Sequence, residues 1–163
     1  MTTKDLQSLR NARSRQMGVA FEELIDRSCK YYEEHGIAVI EKTPEPMKVL
    51  ANLGGGLFKA VYTKQAQPDY KGTLYGGQCI VFDAKHTDTD RIKRSVITEK
   101  QEKCLDAHEK MIAKCCVVVS FSFRSFYNIP WIVFKNMKKQ FGHQYISRDD
   151  ERLKKYEIKL VGD

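Results

Sequence analysis

The run Cys115-Cys116-Val117-Val118-Val119-Ser120-Phe121 limits this chain's fold more than any other segment. It is apolar at all but one position. A strand with one wet face would alternate polar and apolar side chains, and this run does not. The expectation is a central strand covered on both faces. Cys115 and Cys116 then read as small buried side chains rather than as ligands or nucleophiles.

The flanking sequence supplies helices. From Ser14 to Glu34, Met17, Phe21, Leu24, Ile25 and Cys29 recur at three- and four-residue spacing with charges between them. Gly36 ends that helix. The residues before it, 1–14, are polar and read as frayed or partly helical, without the apolar stretch of a secretory signal. A second helical pattern runs from Val96 to Ile112, a short basic one from Lys135 to Phe141, and a last one from Asp149 to Tyr156.

Strands are expected at Ile37–Ile40, at Asp69–Tyr75 with Gln78–Lys85 as a hairpin around Gly76-Gly77, and at Ile129–Phe134. Thr87 to Arg94 reads as a charged loop. This order predicts an α/β fold, a mixed β-sheet flanked by helices, in one domain over residues 1–163. Residues 47–67 stand apart. Two mildly apolar runs meet at Gly54-Gly55-Gly56, with Lys48, Lys59 and Lys64 and no acid, as in a basic projecting hairpin with a flexible tip.

Composition narrows the partners. Lys and Arg outnumber Asp and Glu by 28 to 21, a net charge of +7 that favours a polyanion such as nucleic acid. Arg13 and Arg15 join the hairpin lysines as candidate phosphate contacts. No segment approaches the roughly 18 apolar residues of a membrane span. Five cysteines without a C-x-x-C pair point to a reducing, cytoplasmic setting.

The chemistry lies in the hairpin. Asp69 follows Pro68, and 13 residues separate it from Asp83, which is two residues before Lys85. On a strand, Asp83 and Lys85 share a face. Two carboxylates on neighbouring strands, with the Ala84 carbonyl as a third oxygen, suit a magnesium ion. Such an ion activates a water and steadies phosphate charge, and the lysine can assist either task. Asp83 ends an apolar strand, where a buried charge needs a reason. Glu22 follows Phe21 on the first helix and is a candidate metal-site acid. Gln101 on the next helix is a candidate for contacting the phosphate or the metal's water. His86 points away from Lys85 and reads as structural or as a DNA contact.

Together these residues resemble RecU-type Holliday-junction resolvases of the PD-(D/E)xK nuclease superfamily, from about Gly18 onward. The segments that carry the resemblance are Gly18-Val19-Ala20-Phe21-Glu22, Gly36 to Ile40, Lys42-Thr43-Pro44, Lys64-Gln65, Pro68-Asp69-Tyr70, Tyr75-Gly76-Gly77, Phe82 to Thr87, and Gln101 with Leu105. The resemblance implies a restriction-endonuclease-like core with a projecting stalk at residues 47–67. It implies a homodimer that uses magnesium, or manganese in its place, to nick four-way DNA junctions symmetrically in recombination and repair. It places catalysis on Asp69, Asp83 and Lys85, supported by Glu22 and Gln101. The setting is a bacterial cell or a phage-infected host, and recombination or branch-migration proteins are the expected associates. Family members commonly carry glutamate at the Asp83 position and a hydroxyl residue at the Gln67 position. Two rival readings remain: another PD-(D/E)xK nickase, and a junction-binding protein without catalysis.

Overall fold

The computed structural model describes residues 2–63 and 67–161. Lys64 and Gln65 lie outside the described residues.

The apolar run forms β7 (Lys114–Phe121), buried at every position after the first. It pairs in parallel with β5 (Cys79–Thr87) and antiparallel with β8 (Ser125–Pro130). The sheet continues outward from β5 to β4 (Tyr70–Leu74) and β1 (Ala38–Lys42), and outward from β8 to β10 (Glu157–Ile158). This is the mixed α/β arrangement expected.

Side-chain alternation sorts the interior into two layers. Val81, Val117, Val119 and Ile129 meet Leu105 of α2 (Glu99–Lys110) and Trp131 and Phe134 of α3 (Trp131–Lys135). Ile80, Phe82, Ala84, Cys116 and Val118 meet Phe21, Leu24, Ile25 and Cys29 of α1 (Thr3–Glu34) on the other face. Asp83 and Lys85 are in phase with Val81, so they belong to the α2 face. Gly72 lets β4 lie tight against β1, since a Cβ there would come within 2.6 Å of the Ile40 Cα.

Four expectations need correction. α1 begins at Thr3, because Thr2 and Asp5 form a reciprocal capping box at its start. Residues 4–16 of this helix are exposed. The segment read as a charged loop contains β6 (Arg91–Lys93), which pairs with β9 (Tyr145–Ser147). Ile92 is buried there between two exposed charged residues, an alternation too short to stand out. The strand expected at Ile129–Phe134 ends at Pro130, and Trp131 opens a helical turn. Trp131 and Phe134 are both buried while Ile132 is exposed, which is helical spacing. The last segment is a 3-10 helix, Glu151–Tyr156, not an α-helix. The basic segment after α3 is helical as α4 (Met137–Phe141).

β2 (Met47–Gly54) and β3 (Leu57–Tyr62) pair only with each other among the described strands and are exposed throughout. Gly54, Gly55 and Gly56 all have positive φ, the left-handed backbone that a tight tip requires. Lys48 and Lys59 lie exposed on this hairpin.

Candidate active site

The β4–β5 ladder stops at Tyr70 opposite Phe82, leaving the Ala84 N–H without a strand partner on that side. Asp69 fills the gap: its Oδ2 accepts that N–H at 2.8 Å. Its backbone is held as well, since the Thr43 N–H donates to the Asp69 carbonyl at 2.8 Å. Asp69 is therefore held in place at both its carboxylate and its backbone carbonyl rather than being a loose turn residue. Ala84 contributes here through its N–H.

Asp83 follows along β5 and is fully buried. The Gln101 Nε2 donates to its Oδ1 at 2.9 Å. The Lys85 ammonium lies 3.5 Å from the same oxygen and 3.4 Å from Asp69 Oδ2, bridging the two acids. The other Asp83 oxygen, Oδ2, is buried with no hydrogen-bond partner among the described residues. Burial raises the Asp83 pKa to about 7, Asp69 adds to the rise, and the Lys85 charge opposes it.

These observations fit a divalent cation. A buried carboxylate with an unpartnered oxygen beside a second carboxylate is short of positive charge, and one lysine does not remove the deficit. No three His, Cys, Asp or Glu side chains among the described residues converge into a ready cage. Two carboxylates completed by water and substrate oxygens match magnesium, which keeps much of its hydration.

The expected site residues separate into groups. Asp69, Asp83, Lys85 and Gln101 come together. Glu22 is ion-paired to Lys42 on β1, and no hydrogen bond among the described residues joins it to the other four. The cause is topological, because α1 packs on the face opposite Asp83. The Glu22 hydrogen bond raises the Lys42 pKa, and the Asp69 charge adds to the rise only slightly. Arg13 lies 3.8 Å from Asp88, both exposed, and Arg15 is exposed on the same stretch of α1. His86 is built in: its ring bonds Ser120 Oγ and Asp88 Oδ1, each at 3.0 Å, and packs against Phe123.

Three supporting residues escaped the sequence reading. Lys42 entered the reading only within Lys42-Thr43-Pro44, with no role at the site. Tyr70 was given no role beyond its strand, yet its hydroxyl donates to Asp26 at 2.7 Å and ties β4 to α1. Thr98 was readable, because Thr98-x-x-Gln101 is a capping-box pattern, and the structure forms that box.

The sequence pattern of the family described as Recombination protein U matches residues 16–162, and the chain belongs to this RecU family. The Holliday junction resolvase RecU of Bacillus pumilus is 31% identical over 82% of this chain and 68% of its own length. That of Bacillus licheniformis is 27% identical over 88% of this chain and 76% of its own. The chain spans 54% of the length of the Pediococcus pentosaceus resolvase RecU, at 31% identity over 64% of this chain. The solved Holliday junction resolvase Hjc of Archaeoglobus fulgidus aligns over 69% of this chain and 76% of its own, with 12% identity and a TM-score of 0.45.

Proposed function

We propose that this protein is a magnesium-dependent endonuclease that resolves four-way DNA junctions by paired symmetric nicks in recombination and repair. It acts in the cytoplasm as a homodimer. The observation that carries this reading is Asp83, a buried carboxylate with one oxygen lacking a partner among the described residues, placed against Asp69 and Lys85. The names of its RecU relatives support the choice of substrate.

Asp69, Asp83 and the Ala84 carbonyl would hold the ion. When bound, magnesium supplies a Lewis acid for the scissile phosphate and lowers the pKa of water. Lys85, held by both acids, places an ammonium where charge builds on the phosphate. Gln101 fixes one Asp83 oxygen and so leaves the other for the metal. Lys42, paired with Glu22, tempers the acidity of the site from the β1 side. The hairpin lysines Lys48 and Lys59, with Arg13 and Arg15, contact the phosphate backbone without reading sequence. A two-fold dimer would present two equivalent sites to two strands of a junction, which accounts for the symmetry of the cuts.

End-labelled four-way junctions incubated with protein and magnesium test the reading. Paired nicks on opposing strands are expected, with linear duplex left intact and Asp83→Asn binding without cutting. Equal cutting of linear duplex would sink junction selectivity. Binding without cleavage in both magnesium and manganese would sink the enzyme.

A further inference from the structure

α2 carries a capping box whose third residue is also part of the site. Thr98 is the N-cap and Gln101 the third helical residue. The Thr98 hydroxyl accepts the Gln101 N–H at 3.3 Å. In return Gln101 Oε1 receives the Thr98 N–H and the Thr98 hydroxyl, both at 3.1 Å. Its oxygen is thus occupied twice by the cap. The amide has one other end, Nε2, and that end donates to Asp83 Oδ1 at 2.9 Å.

A glutamine amide has two orientations related by a flip, and its hydrogen-bond network decides between them. In the flipped state Oε1 would oppose the Asp83 carboxylate, and the NH2 group would oppose the Thr98 N–H. Both contacts are repulsive. Among the described residues, the two that donate to Asp83, Gln101 and Lys85, both engage Oδ1, which leaves Oδ2 without a hydrogen-bond partner.

We infer that Thr98 is a positioning residue: its cap locks the Gln101 amide so that Asp83 presents Oδ2 to the metal. The inference rests on the metal reading of the preceding section. Thr98 is exposed, so its side chain can be changed without opening the core. Its effect on the metal passes entirely through Gln101.

The test uses the full chain with Thr98→Ala, Thr98→Ser and Gln101→Leu, and the Thr98→Ala/Gln101→Leu double variant. In metal-free protein, the Gln101 side-chain NH2 signals of 15N-labelled samples report how rigidly the amide is held. Those signals should be ordered in wild type and Thr98→Ser, and mobile in Thr98→Ala. Magnesium titration followed by calorimetry should then show affinity reduced about tenfold in Thr98→Ala, in the range of lost outer-shell partners. Thr98→Ser should restore it to within about twofold, since its hydroxyl caps as well. Thr98→Ala should cost nothing further in the Gln101→Leu background. A residue that only caps the helix would lower the melting temperature but leave magnesium affinity untouched, and that result overturns the proposal. So does an equal loss of affinity with and without Gln101. If wild type binds no magnesium, the metal reading fails; the inference about Oδ2 falls with it, and the amide signals still decide whether Thr98 orders Gln101.

Discussion

Asp83→Asn separates the cost of the site from its use. The variant keeps the shape of the side chain and an oxygen that Gln101 can donate to, and it removes a charge that is fully buried. Moving a carboxyl from 3.8 up to about 7 makes its ionised form harder to bury than its neutral form by a ceiling on the order of 4 kcal/mol. Because the folded pKa is raised, folding favours the protonated acid. That advantage is complete below the unfolded value near 4 and is lost as pH rises through about 7. Metal-free wild type should therefore lose stability across this window at the Asp83 position, and Asp83→Asn should not. The difference between them isolates the effect from other titrating groups.

The assay is urea unfolding of both proteins in chelator from pH 5 to 8. Asp83→Asn should gain on wild type as pH rises, with the gap levelling off above pH 7. Magnesium should then narrow the gap by stabilising wild type alone, by about 2.7 kcal/mol at a hundredfold excess over its dissociation constant. A gap that is flat with pH in chelator would refute the burial argument. An equal response of both proteins to magnesium would refute Asp83 as a ligand.

Three further outcomes follow from the geometry. Gly72→Ala would force β1 off β4, because the new methyl meets the Val39 carbonyl and the Ile40 backbone; denaturant unfolding should show a loss of about 2 kcal/mol, and an unchanged midpoint would count against the close approach. Lys48→Ala with Lys59→Ala should weaken junction binding in salt-titrated binding assays and lower the dependence of log K on log salt by up to about two, if both lysines touch phosphate. Asp106→Asn weakens a carboxylate that accepts the Trp131 indole N–H and two contacts from the Lys135 ammonium, all at 2.7 Å; a loss of about 1–2 kcal/mol in urea unfolding is expected.

The parts of this fold that were legible in the sequence are those written in periodicity. β7 shows itself because both faces are covered, so nothing polar interrupts it. α1 shows itself because one stripe meets the sheet and the rest meets water. β6 and β8 were harder for opposite reasons. β6 buries a single residue, Ile92, and a pattern of one has no period. β8 runs directly into α3, so Ile129 and Trp131 look like one apolar segment although Pro130 divides a strand from a helical turn.

The site divides along the same line. Asp83 and Lys85 share one strand, so the period of two was enough to place them on one face. Glu22 required knowing which face α1 covers, and no local pattern in the sequence contains that. The phase of β5 does contain it once the sheet is assembled. Phe82 and Ala84 pack against α1, so Asp83, between them, must face α2. A carboxylate on α1 is then excluded from direct contact with Asp83, and a polar residue at the start of α2 is favoured. Gln101 holds that place because Thr98 starts the helix three residues earlier. The Thr98 cap that starts α2 therefore also fixes which Asp83 oxygen the Gln101 amide engages.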